Sequence, residues 1–276
     1  MKADLHCHSI YSDGLLTPTE VVLRAKNNGV THLALTDHDS IDGLSEFQVA
    51  SKKEGITPIN GIELTTKYND KGELKEVHIL GLFKFNKLSK SFTEYLEYQF
   101  NNRLERGINM LKLINKEYGY KIDIDEFKNT KSTVTRKNML EHLCKHNNIA
   151  REQLIISTSK NSKAYIPSSA ISTKEGIELL KNENMVTILA HPCLINNNDI
   201  VLDIVKNMNV DGLEAKYPYV KNNESYFKQL AKDNNIFISA GNDFHEINEN
   251  TNKHADIGSV FLNEEEFNII DNILNR

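Results

Sequence analysis

Near its start the chain reads Asp4-Leu5-His6-Cys7-His8-Ser9, and after one further residue Tyr11-Ser12-Asp13-Gly14. On an extended segment, side chains two residues apart point to the same side, so His6 and His8 would face one ligand. The carboxylate of Asp13 follows within a short turn. Two imidazoles and a carboxylate at this spacing predict a metal site.

The same theme returns at five later places in the chain. These motifs are Thr36-Asp37-His38-Asp39, Gly61-Ile62-Glu63, Val77-His78-Ile79, Ala190-His191-Pro192 and Gly241-Asn242-Asp243-Phe244-His245. Six of the ten histidines fall in the six motifs, and Asp13, Glu63 and Asp243 bring the candidate ligands to nine. A single histidine is more often a hydrogen-bonded structural residue than a ligand. Burying nine titratable groups together, however, costs too much free energy unless cations compensate.

The chemistry of these candidates restricts the ions that they could hold. Imidazole and carboxylate without thiolate suit Mn, Fe or Zn and disfavour a structural site of the cysteine type. Nine candidates exceed what one tetrahedral ion needs, so we expect two or three divalent metal ions, with the carboxylate of Glu63 as a bridge. Such clusters serve hydrolysis, because they make hydroxide at neutral pH and bind the attacking and leaving oxygens of a phosphoryl group.

The spacing of apolar runs predicts an α/β fold in which buried parallel strands alternate with helices. The strand candidates are His32–Thr36, Val77–Phe83, Val186–Ala190, Val210–Glu214 and Ile236–Ala240. The ligand motifs are expected at the C-terminal ends of many different strands. Only a closed or nearly closed ring brings so many strand ends to one point, so we predict a barrel rather than an open sheet.

Helix signals complete this organisation. Capping boxes open helices at Thr17 and at Ser172, and Gly29 can end the first of them. Residues 91–167 break the strand–helix alternation and read as a helical insertion or lid domain, with helices at Phe92–Glu117 and Ser132–Lys145 and a loop at Ser157–Lys163. Residues 1–90 and 168–276 would form the barrel.

The bulk composition excludes several classes of protein. A formal net charge of −5 gives no general electrostatic hold on long duplex nucleic acid. No apolar run approaches the length of a membrane span, and a motif beginning at Asp4 leaves no room for a signal peptide. Three cysteines without a CxxC pair argue against a disulfide framework, so we expect a cytoplasmic protein. The sequence does not indicate an oligomeric state.

The order DLHCHS, YSDG, TDHD, GIE, HIL, AHP and NDFH resembles the polymerase-and-histidinol-phosphatase (PHP) family of metal-dependent phosphoesterases, from Asp4 to about Gly258. The resemblance implies a distorted seven-stranded, TIM-like α/β barrel with a trinuclear metal site. The first metal would take His6, His8, Glu63 and Asp243; the second Glu63, His78 and His191; the third Asp13, His38 and His245. Glu63, His38, His245 and Asp243 would be the catalytic residues, and Asp4 and Asp37 would orient imidazoles.

Within the family, the insertion resembles the branch that acts on nucleotide phosphates and short oligonucleotide 5′ ends. Arg103 and Arg106 resemble that branch's Arg-x-x-Arg helix, and Arg136 its Arg-x-His segment, so these three arginines are the expected substrate-binding residues. Asn138 stands where the branch usually has His, and Asn242 replaces the usual Ser. The expected reaction is hydrolysis of a phosphate monoester, such as that of a nucleoside 3′,5′-bisphosphate, by a metal-bridging hydroxide.

Two other functions are compatible with the resemblance. Histidinol phosphatase would use the same metals, although members with that activity tend to lack an arginine-bearing helical insertion. A non-catalytic regulatory domain belongs to another functional class. Degraded relatives lose metal ligands, whereas all nine candidates are present here.

Overall fold

The computed structural model describes residues 1–84, 87–246 and 254–275. The chain divides into two compact units. The first, which we call the barrel unit, comprises Met1–Phe92 and Ala170–Arg276; the second, the insertion unit, comprises Thr93–Ser169. Each unit has its own apolar core.

The barrel unit is built on one seven-stranded sheet whose spatial order follows the chain. The strands are β1 (Ala3–Asp4), β2 (His32–Leu35), β3 (Thr57–Asp70), β4 (Glu73–Phe83), β5 (Val186–Leu189), β6 (Gly212–Lys216) and β7 (Phe237–Ala240). The end of β7 lies beside the end of β1, where the backbone N–H of Leu5 donates to the carbonyl of Ala240 at 3.0 Å. The predicted seven-stranded α/β barrel is confirmed.

One expectation about the strands is wrong. The segment Val77–Phe83 was expected to be parallel, but β4 pairs antiparallel with both β3 and β5. The apolar run alone could not reveal this, because buried strands of either direction carry the same residues. The reversal has a consequence for the site. Because β4 runs opposite to β5, its middle residue His78 lies level with Ala190, where β5 ends.

The described residues form ten α-helices. They are α1 (Pro18–Asn27), α2 (Leu44–Glu54), α3 (Lys90–Tyr118), α4 (Ile124–Lys128), α5 (Arg136–His146), α6 (Arg151–Thr158), α7 (Thr173–Asn182), α8 (Asn198–Asn207), α9 (Glu224–Asp233) and α10 (Glu264–Leu274). Both predicted capping boxes are confirmed, at Thr17 with Glu20 and at Ser172 with Glu175. Among the described helices, none has the length and apolarity needed to cross a membrane.

Alternation along the strands separates two layers of core. On β2, Leu33 and Leu35 pack outward with α1 and α2, whereas Ala34 contributes to the cluster shared by the other strands and α10. Cys7 belongs to the outer layer and donates from Sγ to the carbonyl of Ala34 at 3.1 Å. Its thiol therefore lies in the outer layer and not in the histidine cluster.

The insertion unit is helical, as predicted, but two of its boundaries differ from the sequence reading. The second predicted helix begins at Arg136 rather than Ser132, because Thr135 caps it and Asn138 completes a capping box. The first two residues of the predicted loop at 157–163 belong to the end of α6. Helix α6 was missed because its short, weakly amphipathic sequence shows little helical period.

Candidate metal centre

The structure brings all nine candidate ligands together in the barrel unit. Eight of them are buried, and the side chain of His78 is 18% exposed. They come from six places: the turn after β1, the segment after β2, the middle of β3, the middle of β4, the turn after β5 and the segment after β7. Glu63 and His78 were expected at the C-terminal ends of strands. The structure places both within long strands.

Glu63 lies at the centre of the cluster. Its Oε1 is 2.8 Å from Nδ1 of His78 and 2.9 Å from Nε2 of His191. Its other oxygen, Oε2, faces three further imidazole nitrogens at 3.0–3.3 Å, those of His6, His8 and His38. One carboxylate thus contacts five histidines, which is the position that a bridging ligand needs.

The two aspartates lie on the other side of this group. Asp243 Oδ1 is 3.0 Å from Nε2 of His8 and 3.4 Å from Nε2 of His6. Asp13 Oδ1 is 3.2 Å from Nε2 of His245 and 4.0 Å from Nε2 of His38. Each of these two carboxylates therefore lies close enough to two imidazoles to bind the same ion with them.

Strained turns direct two of these side chains into the cluster. His191 and Asp243 have positive φ values of 29° and 48°. Such backbone costs on the order of 1–3 kcal/mol for a residue other than glycine and is concentrated at functional sites. Gly241, two residues before Asp243, is required sterically, because a Cβ there would lie 2.2 Å from the Cβ of His6.

Hydrogen bonds fix which nitrogen of two histidines faces the cluster. Nδ1 of His245 lies 2.7 Å from the carbonyl oxygen of Asp243, and a carbonyl can only accept, so Nδ1 carries the proton. Nδ1 of His6 lies 3.2 Å from the Glu214 carboxylate, which likewise accepts. In both residues Nε2 is left to face the carboxylates, as in histidines that bind metals.

Neighbouring carboxylates and burial shift the pKa values of these histidines in opposite directions. Burial opposes the protonation of His8, but Asp243 and Glu63 outweigh it and raise its pKa to about 10. The pKa of His78 is also raised to about 10, by Glu63 against the effect of burial. His38 behaves in the opposite way: burial lowers its pKa to about 4.

The geometry of the first expected ligand set fits a tetrahedral ion. Nε2 of His6 and Nε2 of His8 are 3.2 Å apart, and Glu63 Oε2 and Asp243 Oδ1 lie 3.0–3.4 Å from them. A tetrahedral ion with bonds of 2.0–2.1 Å would separate its ligand atoms by about 3.3 Å. Glu63 Oε2 is buried without a hydrogen bond, although three imidazole nitrogens are close to it. A cation would satisfy this oxygen.

The other two expected sets are also compact. Ligand atoms of Asp13, His38 and His245 lie within 4.8 Å of one another, and His8 joins them. His78 and His191 both meet Glu63 Oε1, while His38 approaches the same carboxylate from the side of Oε2. The residues thus fit more than one ion, and their assignment as metal ligands stays a prediction.

The sequence reading missed three residues that contact the cluster. Glu214 is fully buried, lies 3.2 Å from Nδ1 of His6 and accepts the backbone N–H of His191 at 2.8 Å. Tyr217 donates its hydroxyl to Oδ2 of Asp243 at 2.8 Å. Nδ1 of His254 lies 3.1 Å from the same Oδ2. Glu214 could have been found, since it ends a predicted strand at the site edge.

Asp4 and Asp37 do not take the expected role of orienting imidazoles. Asp37 accepts hydrogen bonds from Ser9 and Ser12 at 2.6–2.7 Å. Asp4 accepts from Asn242 and from the backbone N–H of Gly258. Among the described contacts, these two carboxylates hold the loops that carry the histidines, and Glu214 contacts the imidazole of His6.

The three predicted substrate-binding arginines all belong to the insertion unit. Arg103 donates to the carbonyl of Val134 at 3.1 Å, and Arg106 donates to the carbonyl of Ile166 at 2.7 Å. Arg136 is the first residue of α5. Arg103 is therefore tied to the segment that leads into Arg136. Their role in binding substrate stays a prediction.

A second histidine cluster lies in the insertion unit, where Glu126, His142 and His146 bring ligand atoms within 4.8 Å of one another. Nε2 of His142 accepts the backbone N–H of Asp123 at 3.0 Å, so the proton of this imidazole is on Nδ1. A metal-bound histidine instead donates its second ring nitrogen to a neighbour. This cluster is therefore arranged as a hydrogen-bonded helix contact.

Comparisons with known proteins agree with this geometry. The chain is 31% identical over 253 residues to a 5′-3′ exoribonuclease of Haemophilus influenzae, covering 88% of this chain and 90% of the relative. It is 47% identical over 79 residues to a 3′,5′-nucleoside bisphosphate phosphatase of Chromobacterium violaceum, a stretch that covers 29% of this chain and 26% of that protein.

In structure, a candidate metal-dependent phosphoesterase of Bifidobacterium adolescentis superimposes with a TM-score of 0.83 at 24% identity, over 98% of this chain and 95% of that chain, which shows a shared fold. The named enzymes among the relatives act on phosphate esters, so the predicted enzyme class, a phosphoric ester hydrolase, is confirmed. The PHP domain matches residues 4–250. The chain belongs to the PHP domain family.

Proposed function

We propose that this protein hydrolyses phosphate monoesters of nucleotides, nucleoside 3′,5′-bisphosphates in particular, or the 5′ ends of short oligonucleotides. The observation that carries the proposal is the contact of one buried carboxylate, Glu63, with five imidazoles, flanked by Asp13 and Asp243. The proposal includes two or three divalent ions of Mn, Fe or Zn at this centre.

The residues of the cluster have separate roles in the proposed reaction. Divalent ions bound here would supply a nucleophile at neutral pH and neutralise phosphoryl oxygens. Glu214 and the Asp243 carbonyl accept the Nδ1 protons of His6 and His245, so Nε2 is the nitrogen that each imidazole would offer to an ion. Glu63 keeps the two halves of the site at a fixed separation, since each of its oxygens faces a different set of histidines.

Substrate selection is assigned to groups outside this cluster. The guanidinium groups of Arg103, Arg106 and Arg136 would bind a second phosphate in a bidentate way, which a neutral alcohol cannot match. Nucleotide bisphosphates and oligonucleotide ends both offer such a second charge. A relative is named for each of these substrates, a bisphosphate phosphatase and an exoribonuclease.

The test is a comparison of kcat/KM among three substrates with Mn²⁺-loaded protein: a nucleoside 3′,5′-bisphosphate, a short 5′-phosphorylated RNA and histidinol phosphate. We expect at least tenfold preference for one of the first two, because arginines repel the cationic amine of histidinol phosphate. A preference for histidinol phosphate would support the alternative activity. No hydrolysis of any of the three, or of an aryl phosphate, would support a non-catalytic regulatory domain.

A further inference from the structure

The two oxygens of Asp243 have different surroundings. Oδ1 faces the candidate metal ligands, at 3.0 Å from His8 and 3.4 Å from His6. Oδ2 receives the hydroxyl of Tyr217 at 2.8 Å. Nδ1 of His254 lies 3.1 Å from this same Oδ2. A hydroxyl and an imidazole from separate segments thus contact the second oxygen of Asp243.

His254 is held in this place by the residues that follow it. Residues 254–260, which we call the return segment, are attached to the barrel at several points. The backbone N–H of Ala255 donates to the carbonyl of Asn242 at 3.3 Å. Asp256 pairs with the guanidinium of Arg24 at 2.5 and 2.8 Å. The buried Ile257 follows in the outer core layer, so the chain cannot swing away without exposing it.

Asn242 explains how the return segment is joined to the site. Its side-chain amide donates to the carbonyl of Val260 at 2.8 Å and accepts the N–H of Val260 at 2.9 Å. The same amide donates to Asp4 at 2.6 Å. A serine, the residue usual in the resembling family, has one hydroxyl and could not make all three contacts. The residue beside Asp243 therefore fixes the segment that carries His254.

We propose that His254 is a positioning residue, which together with Tyr217 binds Oδ2 of Asp243 and so directs Oδ1 toward the metal ions. The inference rests on the proposed function, since it assigns a role at that metal centre. Mutation of a residue that hydrogen-bonds to a metal ligand typically lowers metal affinity by about 10- to 100-fold. With Tyr217 and His254 in place, the carboxylate of Asp243 is held in one orientation. Without them, it can rotate and turn Oδ1 away from His6 and His8.

The test compares three substitutions at one position by calorimetric titration of metal-free protein with Mn²⁺. His254→Asn keeps a donor where Nδ1 stands, because the amide nitrogen of asparagine is bonded to Cγ as Nδ1 is. His254→Gln places its amide one methylene further out, and His254→Ala removes it. We expect Mn²⁺ affinity near wild type for His254→Asn and about 10- to 100-fold lower for the other two.

Two further variants complete the design. Tyr217→Phe removes the second donor and should weaken Mn²⁺ binding in the same direction. His146→Ala, in the histidine cluster of the insertion unit, is the matched control and should bind as wild type does. If His254→Gln and His254→Ala bind Mn²⁺ like wild type, or if His254→Asn is as weak as they are, the inference is wrong while the proposed function stands. Wild-type protein that binds no Mn²⁺ would overturn both.

Discussion

His38 and Glu63 are joined twice, once through the backbone and once through the side chains. Their backbones form a parallel β-bridge, in which the N–H of Glu63 donates to the carbonyl of Asp37 at 3.2 Å. Nδ1 of His38 lies 3.0 Å from Oε2 of Glu63. The segment after β2 is thereby fixed against the middle of β3. The contact therefore links Glu63, expected at the first and second metal positions, to His38, expected at the third.

We expect Glu63→Gln to be the most damaging conservative change in the protein. The amide keeps the shape of the carboxylate but loses its charge and turns one ligand oxygen into a donor. Activity on an aryl phosphate should fall on the order of a hundredfold or more, and bound metal measured by elemental analysis should fall by at least one equivalent. Glu54→Gln, at a surface ion pair with Lys26, is the control. Normal metal content and activity in Glu63→Gln would contradict the bridging role.

His38→Ala and His191→Ala should differ in what they lose. We expect His38→Ala to lower kcat on the order of a hundredfold, because the third ion loses its support and developing charge is less well neutralised. His191→Ala should in addition release metal during dialysis, since His191 meets Oε1 of Glu63 directly. Steady-state kinetics and elemental analysis separate the two effects. Normal turnover of every substrate by His38→Ala would exclude the third metal.

Glu214→Gln tests a residue that contacts two candidate ligands without being one of them. Its carboxylate accepts from His191 N–H and from Nδ1 of His6. Glutamine keeps one acceptor oxygen, so we expect the Mn²⁺ affinity of Glu214→Gln to fall by about 10-fold. Glu214→Ala removes both oxygens, and we expect its affinity to fall by about 100-fold. Mn²⁺ titration measures this, with Glu46→Gln as a surface control. Wild-type affinity in Glu214→Ala would show that His6 needs no such support.

Metal binding should release protons at neutral pH. In the metal-free protein the pKa values of His8 and His78 are about 10, so both imidazoles are protonated at pH 7. Glu214 and Glu63 outweigh burial and raise the pKa of His6 as well. A ligand must give up its proton, so loading should release at least two protons per protein and affinity should fall as the pH falls. Above pH 10 the release from His8 and His78 should disappear. Calorimetry in buffers of different ionisation enthalpy measures the number, and no buffer dependence at pH 7 would contradict the prediction.

Arg136→Ala should act on one class of substrate only. Loss of a charged hydrogen bond costs on the order of 1.5–3 kcal/mol, which corresponds to at least about a tenfold rise in KM for a nucleoside bisphosphate. KM for a small aryl phosphate should not change. Arg151→Ala, an arginine of the same unit that pairs with Glu141, is the matched control. Equal losses on both substrates in Arg136→Ala would show that the arginine supports the fold.

Much of this site could be predicted from the sequence because its residues come as local motifs. Histidine pairs on extended segments and an acidic residue after a strand identify candidate ligands without tertiary information. The direction of β4 could not be predicted, since an apolar run looks the same in either orientation. His254 could not be predicted because no local pattern accompanies it. It reaches Asp243 only through the packing of Ile257 and the contacts of Asn242.

The closure of the barrel affects how the protein is made. Leu5 pairs with Ala240, and the N–H of Asp243 donates to the carbonyl of His6 at 2.9 Å. These partners lie far apart in the order of synthesis. While a ribosome is still translating the codons before Asp243, the emerging chain holds His6 and His8 without the strand that completes their site. A nascent polypeptide therefore cannot complete this cluster of candidate ligands until Asp243 and His245 have been synthesised.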